Sequence, residues 1–570
     1  MTGQLAIRWQ LAATGALGAA ILWAVIELVD GERLADLPGL LLAAAVCTMF
    51  AGTLAMAGPI GLSRAGVRAA GLGLTVAGLI WLALQRFATP DDFFNSPLPS
   101  LAALTVALLP VPFLIGQARG SWSDYGGLFQ EAWSIVIRYA AAWAFTGVVW
   151  LVIFLSDQIL QVVGITVIGR LLDHTLVPLV VTGAVLGLGM AVVYELADLL
   201  SPYLVLRLFR LLLPAVLVVM VIFLLALPMR GLDGLFSGLS PALLLLTMVG
   251  GGISLVAIAV DQNDQDAAQS PVIQRSAQAM ALALPVASAL SVWAVWLRVA
   301  QHGWTPERLF VALVALIGLG YAILYGIAVL RGLGWMERIR RVNLWMALGI
   351  IGLAALWLTP ILNAEAISAR DQLARYQSGR TPVADLDVYA LTKWGQPGAD
   401  ALAQLETLAK EPGQDALAAR LASPDGGVEV PTADLAAELA DLLVVQPSGA
   451  TGTRDVLLAA AQDYQLRDWR DRCRAGGVGS CLLVVADLLP TRPGEEAVLI
   501  LGGDYTDILG LYLDDSGFLQ QPGVTRADGS YVDSETAEEL LRAWLVAPPP
   551  LTPALINQLG TGESGLMMRP

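Results

Sequence analysis

Two thiols, a glycine-rich turn and flanking guanidinium groups meet in Asp471–Cys481, DRCRAGGVGSC. Three kinds of chemistry use such parts: thiol–disulfide exchange, phosphate binding on backbone amides, or a structural disulfide. A redox pair usually reads Cys-x-x-Cys, and this spacing is wider. A phosphate loop needs a Lys after its last glycine, and none is present. Zinc would need further Cys or His ligands, and the two His of the chain, His174 and His302, both lie far upstream. The reading adopted is a disulfide between Cys473 and Cys481, which requires an oxidising compartment. Cys47, in an apolar run, reads as a small apolar residue.

Other residues could do chemistry because of where they fall in apolar surroundings. Asp157, Glu195, Arg298 and Arg308 are the ionisable groups set closest to, or at the ends of, apolar stretches, and MVGGGIS (Met248–Ser254) places Gly250, Gly251 and Gly252 in the middle of another. An intramembrane charge is costly and often marks an ion or substrate path. Asp157, Glu195 and Arg298 each lie about a turn or less from a predicted helix end and could reach the interface, so a structural role is the first expectation. Glu195 and Asp198 are expected to form an ion-paired corner with Arg207 and Arg210. Three glycines in a span either admit a close neighbour or let the helix unwind around a ligand; close packing is the expected use. Asp514, Asp515 and RADGSYVDSETAEE hold many carboxylates, but their spacing does not fit a calcium loop; they read as a turn and the start of a helix. No nucleophile–base set is visible, and no metal or organic cofactor is implied.

These residues are positioned by two unlike halves. The chain has 570 residues, a mean hydropathy of +0.67 and 14% charged residues, where a soluble protein carries about a quarter. Residues 1–362 hold 18 Arg, 18 carboxylates and no Lys; the remainder holds 15 basic and 30 acidic residues, so the net charge of −15 belongs to the tail. An acidic tail with no basic stripe argues against nucleic acid and against docking on anionic lipid. Apolar runs of about 20 residues cross a bilayer. Eleven are expected, at 10–28, 37–58, 66–86, 98–117, 139–161, 175–197, 206–228, 239–261, 276–298, 306–330 and 342–361. Ser121–Trp133 and Gly164–Asp173 read as amphipathic interfacial segments, and Pro110, Pro178, Pro214 and Pro285 as kinks.

Arginines orient the spans. With the N-terminus inside, the inner segments carry 12, including the cluster Arg331, Arg338, Arg340 and Arg341; the outer loops carry six: Arg33, Arg86, Arg170, Arg230, Arg298 and Arg308. Eleven spans then put the tail outside, which agrees with the cysteine reading and in a bacterium means the periplasm. The fold expected is a polytopic α-helical membrane protein with a C-terminal soluble α+β domain: residues 1–362 in the membrane, 363–470 helical with Thr453 as a helix cap, and 471–570 mixed strand and helix. The partners implied are the bilayer and other envelope proteins or lipids.

Two segments carry a resemblance. SVWAVWLRVAQHGWTPERLF (Ser291–Phe310) and AISARDQLARYQSGRTPVADLDVYALTKWGQPGADALAQL (Ala366–Leu405) resemble a family of bacterial inner-membrane proteins, common in alphaproteobacteria, defined as a domain of unknown function. Arg298, Gly303, Thr305, Pro306, Glu307 and Arg308 match its first signature, and Gln372, Arg375 and Gly379 its second; His302 replaces an aromatic residue and Tyr376 a leucine. The resemblance implies the same architecture and hands over no catalytic residue. In physical terms Thr305, Pro306 and Glu307 suit a helix N-terminus, and Arg298 the end of the helix before it. The segment therefore reads mainly as a helix–turn–helix corner, with a lipid-headgroup or substrate site at Arg298 and Arg308 as the lesser reading. The function expected is envelope sensing, scaffolding or assembly through the tail. A transporter or lipid-handling permease with a path along the Gly-rich eighth span is the alternative, and an intramembrane enzyme has the least support.

Overall fold

The computed structural model describes residues 2–87, 93, 96–195, 202–230, 241–422, 432–477, 479–489, 494–502, 505–514, 516–526, 532–552, 558–559 and 566–567. Asp198, Asp515 and residues 527–531 of the acidic stretch lie outside them. Two compact units are present, Met1–Gly426 and Gly427–Pro570.

Among its described residues, the first unit contains eleven helices or helix pairs long and apolar enough to cross a membrane. In hydrocarbon every backbone amide needs a partner within its own segment, which selects the helix. They are α1 (Thr2–Asp30), α2 (Asp36–Ile60), α3 (Leu62–Leu84), the pair α4 (Pro97–Leu108) and α5 (Val111–Ala118), and α6 (Tyr125–Val162). After the short α7 (Val167–Leu172) come α8 (Leu176–Glu195), α9 (Pro202–Arg230), α10 (Pro241–Val260), α11 (Pro271–His302), α12 (Pro306–Leu330) and α13 (Trp335–Trp357). The chain is a polytopic helical membrane protein with a C-terminal α+β unit.

Some expected features take another form. Ser121–Trp133 is not a separate interfacial helix: from Tyr125, with Asp124 capping Gly127 N, it runs unbroken into the fifth span. At 38 residues α6 is about 57 Å long, well beyond a bilayer core of about 30 Å. Of the four prolines, Pro110 breaks its span, Pro178 sits in the first turn of α8, and Pro214 and Pro285 are accommodated in unbroken helices.

Two cores organise the bundle. One gathers Leu11, Met56, Ala69, Ile115, Ala142 and Met190 from α1, α2, α3, α5, α6 and α8. The other gathers Met220, Val256, Met280, Leu284, Tyr325 and Ile339 from α9–α13. A third cluster, with Ile80, Phe87, Ala102, Phe310 and Trp357, joins α3, α4, α12 and α13. Among the described residues, several long-range polar contacts link helix ends of like parity. Arg8 pairs with Glu195, Arg210 with Asp261, and Arg340 with Asp264 at the end that holds the N-terminus. Trp23 bonds Thr175, and Arg86 reaches Trp357 and Glu365, at the other. Of the expected corner of Glu195 and Asp198 with Arg207 and Arg210, Asp198 lies outside the described residues; Glu195 pairs with Arg8, and Arg210 has Asp261 among its partners.

Beyond the last span, α14 (Ala364–Gln377), α15 (Val388–Lys393), α16 (Gly395–Ala409) and α17 (Asp415–Ala422) still belong to the first unit. They pack on their own small core of Leu373, Leu386, Leu391, Trp394, Leu405 and Leu417.

The second unit has helices α18 (Thr432–Leu442), α19 (Thr451–Ala459), α20 (Asp463–Gly476) and α21 (Ser534–Val546). They accompany a five-stranded sheet in sequence order: β1 (Val444–Gln446), β2 (Cys481–Ala486), β3 (Glu496–Leu501), β4 (Asp507–Leu513) and β5 (Leu519–Gln520). β1 is parallel to β2 and the others antiparallel; two short strands, β6 (Gln558–Leu559) and β7 (Leu566–Met567), pair separately. β2 shows why CLLVV is apolar throughout. Cys481, Leu483 and Val485 face one core with α18–α20, while Leu482 and Val484 face another with α21, so both sides of the strand are covered. β1 lies inside the stretch expected to be helical. Thr453 does not cap α19, since it lies within that helix and donates its hydroxyl to Glu495.

Candidate functional site at the tail end of the bundle

α11 and α12 meet in the corner His302–Gly303–Trp304–Thr305. Thr305 accepts a hydrogen bond from Arg308 N at 3.2 Å, and Pro306 occupies the first helical turn of α12, as its sequence implies. Gly303 has φ +76°, a left-handed conformation that favours glycine, and a Cβ there would lie 2.7 Å from atoms of Asp371, Gln372 and Arg375.

The last four carbonyls of a helix have no partner within it. In α11 all four are accounted for. Val299 O accepts from Gly303 N. Arg375 Nη2 donates to Ala300 O (3.1 Å) and Gln301 O (2.9 Å). Gln372 Nε2 donates to His302 O and Trp304 O, both at 3.0 Å, and Arg308 Nη1 to Gly303 O at 2.9 Å and His302 O at 3.3 Å. Trp304 N donates to Asp371 Oδ2 at 2.8 Å. Two segments that looked alike to one family's signatures, from distant parts of the chain, are thus one tertiary unit. Arg298, expected to serve the end of α11, is exposed; Arg375 and Arg308 perform that task, which places cations at the negative end of the helix dipole.

A second clamp was not anticipated. Arg86, just past α3, is only 4% exposed and Glu365 only 2%. Arg86 Nη1 donates to Glu365 Oε2 at 3.2 Å, and its Nη2 to Trp357 O at 2.7 Å and to Thr359 O. Its carbonyl accepts from Gln396 N at 2.8 Å, with Gly395 (φ +59°) packed so close that a Cβ would strike that oxygen. Burial pulls the guanidinium below its ordinary value, and Glu365 pushes it back up. Glu365, Ser368, Gln372 and Arg375 recur at helical spacing and are all buried, so α14 turns a polar stripe to the bundle while Leu373 faces the core of the outer helices. That stripe is readable in the sequence; its partners are not.

Between the corner and the outer helices lies a cavity of about 380 Å³. Arg308, Arg380, Asp385 and Asp387 line it, with Gln301, His302, Thr305, Gln372 and Trp394. Of the candidate residues only Arg308 lies here.

The others are dispersed. Asp157, 8% exposed near the end of α6, accepts from Gln161 Nε2 at 2.6 Å through Oδ2, while Oδ1 is buried with no partner among the described residues. Glu195 is held by Arg8. Gly250, Gly251 and Gly252 lie in an unbroken helix. A Cβ on Gly252 would come 2.9 Å from Leu284 Cδ2 and 3.2 Å from Met280 Sδ, whereas Gly250 and Gly251 face open space; close packing is what the geometry shows at Gly252. A tighter glycine contact went unnoticed: Gly183 and Gly187, a Gly-x-x-x-Gly pair in α8, press on the backbone of Gly15 and Leu11 in α1. In the second unit Cys473 and Cys481 form a disulfide with Cα atoms 5.5 Å apart, joining the end of α20 to the start of β2. Among the described residues no group of three His, Cys, Asp or Glu is gathered as a metal site.

No family model, curated protein or solved structure matches the chain.

Proposed function

We propose that the protein is a scaffold of the bacterial inner membrane, akin to the family its two signature segments resemble. In this reading the N-terminus is cytoplasmic and the disulfide-bonded α+β unit is periplasmic, where it senses or assembles envelope components. The observation that carries the reading is the double clamp of α14. Buried bonds from Arg86, Gln372 and Arg375 fix the outer helices to the ends of α3, α11 and α13. The bundle therefore ends in a rigid platform from which the chain continues into the second unit. Three facts support the orientation: the arginine excess, 12 against six, on the N-terminal side; helix-end contacts of like parity; and the disulfide, a feature of oxidising compartments.

The test compares a chromosomal deletion of the whole protein with a truncation after Gly426, the end of the first unit. If the second unit is the working part, both strains show the same envelope defect, measured as sensitivity to detergent and to large antibiotics. Full complementation by the truncated chain, at normal membrane levels, would overturn the reading.

A further inference from the structure

The cavity at the tail-end corner has a charge pattern that a scaffold does not need. Arg308 and Arg380 bring two positive groups to its lining, Asp385 and Asp387 two negative ones. None of the four forms an ion pair among the described residues, although Glu307 and, less strongly, Asp387 lie close enough to Arg308 to act on its charge. Each has capacity to spare. Arg308 spends Nη1 on the carbonyls of His302 and Gly303, Arg380 spends Nε on Ser378 Oγ, and Asp387 Oδ1 caps Ala390 N at 2.9 Å. Opposite charges that line one cavity without forming ion pairs with each other fit a ligand that carries both.

We propose that this cavity binds a zwitterionic headgroup of the phosphoethanolamine type, with its phosphate on Arg308 and Arg380 and its ammonium on Asp385 and Asp387. Guanidinium forks match phosphate oxygens with short charge-assisted bonds, and carboxylates match an N–H-bearing ammonium. A plain phosphate would meet two carboxylates, and a metal ion two guanidinium groups, so neither suits the lining. The volume lies within the usual range for small-ligand sites, about 300–1,000 Å³. Position favours a lipid as the source. The cavity sits at the ends of the spans α11 and α12, and about one and a half to two turns before Gln301 the exposed rings of Trp293 and Trp296 stack at 5.1 Å. Exposed tryptophans at a span end mark headgroup level.

The experiment uses purified full-length protein in an uncharged detergent. Binding is measured by native mass spectrometry for short-chain phosphatidylethanolamine, phosphatidylcholine and phosphatidylglycerol, and for free O-phosphoethanolamine. Phosphatidylethanolamine is expected to bind at least about tenfold more tightly than phosphatidylglycerol, which lacks the ammonium, or phosphatidylcholine, whose amine has no N–H. Arg380→Gln and Asp385→Asn, both at exposed positions and expected to leave the melting temperature unchanged, each weaken phosphatidylethanolamine about tenfold. D385N also narrows its margin over phosphatidylglycerol. Free O-phosphoethanolamine binding as well as the lipid would support the same chemistry with a soluble source; much weaker binding assigns the site to the bilayer. Equal binding of the three lipids, absence of binding, or variants that bind as wild type would overturn the proposal.

Discussion

At the scale of single residues, Arg86 and Glu365 carry the most consequence. Both are all but inaccessible to solvent, and each neutralises the other's buried charge. Breaking a buried pair by removing one partner costs about 3–5 kcal/mol, because the survivor stays buried without compensation, whereas replacing both with apolar groups is often neutral. Arg86→Met is therefore expected to lower thermal stability in detergent sharply, and Arg86→Met combined with Glu365→Leu to recover most of the loss. A double variant no better than the single would show that the bonds to Trp357 O and Thr359 O, not the charge pair, are what matter. In the sequence Arg86 is one loop arginine among six on the outer side. Nothing local announces its role, since its partners are a carboxylate and two carbonyls at the far end of the membrane half. Thr305 and Pro306 were legible because capping is local chemistry, decided within four residues.

Elements show the same division. The eleven spans follow from the length of apolar runs, a property each segment owns by itself, and β2–β4 from short apolar runs between turns. What joins one helix to another is decided by shape. MVGGGIS drew notice as a glycine run, yet Gly250 faces open space, while Gly183 and Gly187 hold α8 against the backbone of α1. Gly187→Ala would drive its methyl into Leu11 O, a backbone atom that no rotamer change can move. The expected loss is about 1–3 kcal/mol, the range for overpacking. Gly250→Ala meets nothing and replaces a poor helix former, so stability should hold or rise by a few tenths of a kcal/mol. Light-scattering melts of the two variants in detergent would separate them. Equal damage at both positions would mean that α10 is packed otherwise than described. The Gly-x-x-x-Gly spacing was the available signal for this contact, and it is weak in a chain with 57 glycines.

For the molecule as a whole, the Cys473–Cys481 bond reports on the compartment of the second unit. Closing so short a loop restricts the unfolded chain by about 2–3 kcal/mol on the loop-entropy account. Replacing both cysteines with Ala should make the second unit more sensitive to pulse proteolysis by that amount and leave the bundle unchanged. In intact cells a membrane-impermeant maleimide should label the pair only after external reduction. Thiols that react only once the membrane is broken would put this unit in the cytoplasm, and the scaffold reading with it. The sequence divides by hydropathy at residue 362, whereas the compact units divide at Gly426. The reason is physical: α14–α17 are polar enough to leave the bilayer, yet α14 keeps a buried polar face turned back to the bundle.

The Arg86 clamp also has a timetable. Its two ends are 279 positions apart, and a ribosome adding about 5–20 residues per second needs roughly 14–56 s to cover that distance. Throughout that interval Glu365, the carboxylate that receives the Arg86 guanidinium in the folded protein, has not yet been made. The bundle therefore locks at its tail end only when Glu365 has left the ribosome and folded back. A chain cut short before α14 would hold every span and still lack its fastener.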